Sequence, residues 1–442
     1  MTAFTPSRRF QSWGRTARPD HEIATPTFRD QLAGLLCARE LKPVLPVGLG
    51  RSYGDTCLNA DGRLIDMTRL DRFMAFDAER GVVHAEAGLS LDELLRVTVP
   101  KGWFVATTPG TRFVTLGGAV ANDVHGKNHH AAGSFGCCVR RLELVRTSGE
   151  VHRLDATAQA PLFGATIGGL GLTGLISTVE IGLAPIRSAY LDVERIPFAN
   201  LREFYALSAE SIGRFEHTVA WIDCAGSGQK LGRGIFQRAG WRDDGDLRPH
   251  DNAMMLSVPV EVPAFLFNGV TLRTFNSLYY HLRHFRRTRR RVHYARFFYP
   301  LDKVRHWNRL YGGRGFYQYQ CVIPPETQET ALSELLGEIS RSGKGSFLAV
   351  LKLLGPVPSK GMLSFAREGT TLALDFPNSG QSNLDLLARL DALVMAAGGR
   401  LYPAKDGRMP AHAFRASYPQ WEAFAANVDP LIRSDFWRRV AG

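Results

Sequence analysis

The sequence predicts an α+β protein of two domains, on three observations. A chain of 442 residues is too long for one hydrophobic core. Its first ~185 residues are rich in glycine and alternate short apolar runs with turns, as strands joined by tight loops do. From about residue 189 to 400 longer helical patterns mix with strand-like runs, and the last ~40 residues return to polar, mostly helical text. The expected division is therefore 1–188, 189–400 and 401–442. No repeat at solenoid periods and no low-complexity linker interrupts it.

The elements follow in order. "RLIDMTRL" (63–70) and "GVVHAEAGL" (81–89) read as strands. In "SLDELLRVTVPKG" Ser90 and Glu93 form a capping box ahead of a periodic leucine pattern, which predicts a helix. "VRRLELVRTSGEVHRL" (139–154) predicts a hairpin turning at Ser148-Gly149. "APLFGATIG" is helix-like and "LISTVEIGLAP" is rich in β-formers. Beyond them "FYQYQCVIP" and "FLAVLKLLGP" read as strands and "ETQETALSELLGEISRSG" as a helix.

Composition bounds the function. With 45% hydrophobic and 22% charged residues the chain is ordinary soluble text. It has no apolar run long enough to cross a bilayer. The Arg pair of "MTAFTPSRRFQSWGRTARPD" has no apolar stretch behind it, so it is not an export signal. Six cysteines without C-x-x-C spacing predict free thiols in a reducing compartment, and the expected location is the cytoplasm. The net charge of +12 asks for an acidic partner. Much of it sits in "RHFRRTRRRVHYARFFYP" (283–300), which suits nucleic acid, an anionic membrane surface or a solvated basic loop. No helix-turn-helix or zinc finger accompanies it, so nucleic acid is not expected and the membrane is favoured.

Candidate chemistry lies in "HGKNHH" (125–130) and three glycine clusters. His125 and His129 have the i, i+4 spacing of a zinc pair, but Gly126 and the flanking glycines do not read as a helix and no carboxylate accompanies them. No metal is expected. "GLGLTG" (169–174) matches a dinucleotide-binding pattern literally, yet a helix precedes it and a strand follows, the reverse of that motif's order. "PVGLGRSYGDT" (46–56) presents a turn whose N–H groups suit a pyrophosphate, and "PGTRFVTLGGAVANDVHG" (109–126) lets backbone approach a flat ligand.

Together "VGLGRSYGD", "PGTRFVTLGGAVANDVHGKNHHAAGSFG" and "IGGLGLTGLISTVEI" resemble the FAD-binding domain of vanillyl-alcohol-oxidase type flavoproteins. "GLGRSYGD", "HGKNHH", "RLYPAKD", "FYPLD", "WNRLYG", "FYQYQCVIP" and "DFP" narrow the resemblance to the decaprenylphosphoryl-β-D-ribose 2-oxidase family, over nearly the whole chain. It implies an FAD-binding domain, a substrate (cap) domain with an antiparallel sheet and helices, and a C-terminal return to the first domain. By this resemblance Pro46, Val47, Gly48, Leu49, Gly50, Arg51, Ser52, Tyr53, Gly54, Asp55 and Thr56 hold the FAD pyrophosphate. Gly110, Thr115, Leu116, Gly117, Gly118, Asn122, Asp123, Val124, His125, Ile176 and Tyr402 line the rest of the flavin. Many relatives attach flavin through a His where this chain has Arg51, so FAD is expected to be noncovalent.

The implied reaction oxidises the C2 hydroxyl of a polyprenyl-phosphate-linked ribose, a hydride leaving for the flavin while a base takes the proton. Lys405 is the implied base or electrostatic group, with Asp406 beside it and His125 and Tyr53 at the reacting centre. Lys127, Gln318, Gln320 and Lys352 are the implied substrate contacts; Gln318 and Gln320 share a strand face. His129 and His130 are expected to be structural and hydrogen-bonded. An NAD(P)H-dependent short-chain reductase would complete a 2′-epimerisation to an arabinose donor, and the basic segment would touch the inner face of the membrane. The alternative is a soluble alditol or aldonolactone oxidoreductase on the same fold. Two departures bear on substrate preference: Ala373 stands where actinobacterial members have Cys, and Phe298 where they have Tyr.

Overall fold

The computed structural model describes residues 3–36, 42–60, 62–251, 256–258, 269–284 and 287–442. Cys37, and Phe285 and Arg286 of the basic segment, lie outside the described residues. The other five cysteines are free thiols.

Two sheets come from the first 185 residues. The smaller orders Thr5–Ser7, His21–Ala24, Arg63–Asp66 and Val44–Val47, with the last three parallel. The strand expected over 63–70 ends at Asp66, whose carboxylate accepts the N–H of Thr68 at 3.0 Å and caps a short turn at Met67–Arg69. The larger sheet is antiparallel, ordered Phe73–Asp77, Val82–Glu86, Leu175–Pro185, Val139–Val145 and Val151–Asp155, with Trp103–Val105 also paired to the long central strand. The expected hairpin turns through Gly149 at φ 88°, a left-handed conformation that favours glycine. The helix Leu91–Thr98 begins at the Ser90–Glu93 capping box, each residue's side chain accepting the other's backbone N–H at 3.2 Å.

A third sheet of eight antiparallel strands spans 190–401. Its order is Thr288–His293, Tyr190–Phe198, Gly234–Trp241, His217–Ile222, Val350–Leu354, Gly369–Pro377, Phe316–Ile323 and Arg400–Leu401. Successive side chains on a strand point to opposite faces. Tyr319, Cys321, Ile323, Leu351, Leu372, Leu374 and Phe376 therefore bury one face under the helices Leu201–Ser211, Gln328–Ser342 and Gln381–Ala396. The alternate positions Gln318, Gln320, Val350, Lys352, Thr371, Ala373 and Asp375 face a large cavity instead.

Within the basic segment the described residues Thr288–His293 form an edge strand of this sheet. Arg287 pairs with Glu194 (2.9 Å), Arg289 with Asp192 (2.9 Å) and Arg291 with Asp246 (2.7 Å). Tyr294, Phe297, Phe298 and Tyr299 are buried in the core. The C-terminal residues pack back on the first sheet: the N–H of Val44 donates to the carbonyl of Leu431 at 2.8 Å, and Arg439 pairs with Asp55 at 2.7 Å. Among the described residues no helix is long and apolar enough to cross a membrane.

Candidate active site

One cavity of about 1050 Å³ runs between the first two sheets and the inner face of the third. Gly48, Gly50, Gly110, Gly117, Gly118, Gly126, Gly171 and Gly174 lie in its wall, where absent side chains let backbone meet a ligand. Val44–Val47 ends at its floor and delivers the turn 48–53. Among the described residues no protein acceptor takes the N–H groups of Leu49, Gly50 or Arg51. The Thr56 hydroxyl is buried in the same wall without a partner. Unpaired donors in a buried cradle match a pyrophosphate, so these residues fit the FAD that the sequence implies.

Most residues expected to hold the flavin line the cavity: Pro46 to Tyr53, Thr56, Gly110, Thr115, Gly117, Gly118, Asn122, Val124, His125, Ile176 and Tyr402. Four expected ones do not. A Cβ at Gly54 would lie 1.6 Å from the carbonyl oxygen of Asp406, so this glycine serves close packing against the 403–407 turn. Asp55 faces Arg439. Leu116 is fully buried in the core. Asp123 accepts from the N–H of Gly136 (2.7 Å) and the hydroxyl of Ser364 (2.5 Å), tying the loop to the segment between the strands Val350–Leu354 and Gly369–Pro377. The third glycine cluster lacks the dinucleotide motif's order, yet Leu170, Gly171 and Gly174 line the cavity. It is a turn between the helix Ala160–Thr166 and the strand Leu175–Pro185, a wall without the dinucleotide-binding topology.

Lys405 closes a short turn, Pro403–Lys405, that follows the sheet's last strand. Its ammonium lies 3.9 Å from the centroid of the Tyr53 ring, a cation–π contact. Burial lowers its pKa to about 7 against the opposing pull of Asp375, with Lys352 lowering it further. The expected neighbour Asp406 instead accepts the N–H of Arg408 (2.8 Å) and Met409, and lies 3.4 Å from Arg439. Sequence reasoning misses Asp375. Strand register sets it opposite Gln318, whose amide donates to it at 2.7 Å, and the Tyr311 hydroxyl donates at 3.1 Å. Burial raises its pKa to about 6. A signal for it exists in the alternation of "TLALD", which turns Thr371, Ala373 and Asp375 to one side.

His125 is buried 2.9 Å from Gln320 Nε2 and 3.3 Å from Lys352 Nζ, with the ring of Phe365 beside it. Burial, then the charge of Lys352, holds its pKa well below the ordinary value, so the ring is neutral. A neutral imidazole has one donor and one acceptor. With the Gln320 amide donating to Nε2, the proton sits on Nδ1 and Lys352 meets it as an uncharged amine; a charged Lys352 requires Gln320 to turn its carbonyl inward. The protonation of Lys352, whose pKa burial lowers to about 8, is thus coupled to the Gln320 amide.

Lys127 lines the cavity but is already engaged: its ammonium donates to the Phe297 carbonyl and sits 4.3 Å over that ring. His130 donates its Nε2–H to the Phe215 carbonyl (3.0 Å), as expected of a structural histidine. His129 departs from expectation. It starts a single helical turn, His129–Ala132, fully buried with neither ring nitrogen hydrogen-bonded. Among the described residues no group of His, Cys, Asp and Glu gathers as a metal would need. Ala373 and Phe298 both line the cavity, Phe298 stacked on Phe104 at 5.4 Å. The wall as a whole carries seven basic side chains, Arg51, Lys127, Arg195, Arg296, Arg305, Lys352 and Lys405, against two acidic, Asp302 and Asp375.

Comparison with known proteins agrees with this geometry. Residues 23–155 match the family model described as an FAD binding domain. The chain is 37% identical to a decaprenylphosphoryl-beta-D-ribose oxidase of Mycolicibacterium smegmatis, over 99% of this chain and 98% of that one. It is 23% identical to an L-gulono-1,4-lactone dehydrogenase of Mycobacterium tuberculosis over 95% of its length and 96% of that protein's. It is 30% identical to mouse L-gulonolactone oxidase over 40% of each chain. A free backbone cradle, a basic cavity and near-complete coverage lead to one conclusion: the chain is an FAD-dependent oxidoreductase and belongs to the decaprenylphosphoryl-β-D-ribose oxidase family of vanillyl-alcohol-oxidase type flavoproteins.

Proposed function

We propose that the protein oxidises the C2 hydroxyl of a polyprenyl-phosphate-linked ribose to the 2-keto sugar. The carrying observation is the wall of seven basic against two acidic side chains, an excess of positive charge that suits the flavin's pyrophosphate together with a substrate phosphodiester. Residues 1–188 with 401–442 would hold FAD and 189–400 the substrate. When bound, FAD supplies the two-electron acceptor for a hydride leaving a C–H bond.

The chain's own residues divide the remaining work. Lys405, with a pKa near 7, is uncharged often enough at neutral pH to take the hydroxyl proton. Tyr53, whose phenol burial pushes well above its ordinary pKa, stays protonated and carries the ammonium that results against its ring face. Asp375 balances that ammonium and holds Gln318 toward the sugar. Lys352, with His125 and Gln320 behind it, faces the phosphate. Arg51 stacks on Trp13 at 4.1 Å and has no nucleophilic atom to attach flavin, which supports a noncovalent cofactor.

The product would pass to an NAD(P)H-dependent short-chain reductase, giving an arabinose donor, with the oxidase in peripheral contact with the membrane. The test is an anaerobic visible spectrum before and after adding short-chain polyprenylphosphoryl-ribose. Bleaching of the flavin is expected. A yellow protein that stays oxidised with this substrate but bleaches with an aldonolactone or alditol would replace the reading.

A further inference from the structure

The helix Gly269–His284 packs on the cavity side of the eight-stranded sheet. At 3.6 residues per turn its buried Leu272, Asn276 and Tyr280 share one face. Next round the helix comes Tyr279, whose ring lies 4.5 Å from Trp221; both rings line the cavity. Beyond Tyr279 the same side continues with Phe275, Leu282 and Leu278, which are 45%, 70% and 56% exposed. Thr271 lies between Leu282 and Leu278, and Arg273, Thr274, Ser277 and His281 share the remaining arc with Val270, which is 74% exposed. Outside this helix, no described helix or strand exposes more than one large hydrophobic side chain. The apolar arc is thus wider than the described residues cover, and it is continuous with the cavity wall.

Charge says what covers it. Directly after the helix's apolar arc come six arginines within the nine residues 283–291. Arg287 and Arg289 keep side chains 58% and 68% exposed despite their carboxylate partners, and Arg290 makes no ion pair among the described residues. An apolar stripe edged with arginine matches an anionic bilayer surface. A second copy of the chain would bring two such arginine clusters together and repel.

We propose that Phe275, Leu278 and Leu282 dock the protein on an anionic lipid bilayer, turning the Tyr279–Trp221 wall toward the lipid so that a prenyl tail stays in the membrane while its sugar phosphate enters. The tail's path rests on the substrate reading above; the docking does not. A cavity of about 1050 Å³ is filled by one cofactor-sized ligand with a small partner, which leaves a long isoprenoid outside. The contact lies on this helix face, because the aromatics of 294–299 point into the core.

The test is flotation of the flavin-loaded protein with vesicles of phosphatidylglycerol and phosphatidylcholine, against pure phosphatidylcholine. The wild type is expected to float with the anionic vesicles and to be released by salt. The double variant Leu278→Glu, Leu282→Glu should lose binding by about tenfold or more. Because both positions are exposed and off the cavity, its flavin spectrum and its turnover of a water-soluble short-chain polyprenylphosphoryl-ribose should match the wild type. Wild type that ignores anionic vesicles, or a variant that floats equally well, overturns the proposal. So does a wild-type dimer that the variant splits without any vesicle binding. Failure of both proteins to turn over the short-chain substrate would remove the substrate reading and leave the flotation result standing.

Discussion

At the scale of single residues, the site turns on which buried group holds a proton. Lys405→Ala is expected to cut turnover by about 10²–10⁴, the usual worth of general acid–base catalysis, while the flavin spectrum of the variant stays that of the wild type. Asp375→Asn gives a sharper outcome. Burial sets the Lys405 pKa near 7 and Asp375 raises it, so removing the carboxylate lowers that pKa. The acid limb of the kcat/KM profile should then move to lower pH; a limb that stays put assigns the titration to another group. Acid precipitation of the holoenzyme should leave all the yellow colour in the supernatant, as a cofactor without a bond to Arg51 requires. Lys405 and His125 were legible because the family resemblance attaches a role to each, whereas it attaches none to the Asp of "DFP". Asp375 was not, because one Asp in "LALDFP" has no meaning until strand pairing sets it against Gln318. The same blindness favoured Asp406 as partner of Lys405: adjacency in sequence does not say which way a carboxylate turns.

At the scale of elements, the contact between two turns decides whether the site forms. Residues 50–56 and 403–407 touch through Gly54, and the N–H of Tyr53 donates to the carbonyl of Ala404 at 2.9 Å. Gly54→Ala must part them, since a Cβ 1.6 Å from a backbone oxygen leaves no cheap adjustment. We expect about 1–3 kcal/mol of lost stability by thermal unfolding, with weakened flavin retention, whereas Gly240→Ala, on a strand away from the cavity where a Cβ meets no atom within 4 Å, should keep its melting temperature. Periodicity made the strands and helices readable, including the capping box and the hairpin. It could not show that the arginine run is a paired sheet edge, because its partners Asp192, Glu194, Asp244 and Asp246 lie between 45 and 97 residues away.

At the scale of the whole molecule, buried histidines set the acid tolerance. Burial lowers the pKa of His129 to about 4 and of His217 to about 3, against an ordinary value of 6.5. Between 6.5 and those values the unfolded chain binds protons that the folded chain refuses, so stability falls as pH drops through that window. Melting temperatures at pH 7 and pH 5 should differ clearly in the wild type and less in His129→Leu. The division into a glycine-rich and a mixed half was visible in the sequence. The way the last residues close on the first was carried only by the family resemblance.

That closure has a consequence in time. The bond between Asp55 and Arg439 spans 384 positions, and that from the Tyr402 hydroxyl to the Asn122 carbonyl spans 280. Contacts so distant along the chain form slowly, because the intervening loop entropy is lost before they return anything. On the ribosome residues 46–56 emerge about 350 positions ahead of Lys405, so the cavity they share cannot close until the 403–407 turn is out. In refolding, far-UV ellipticity should return well before the flavin's fluorescence is quenched. The lag between the two would time the arrival of the C-terminal turn.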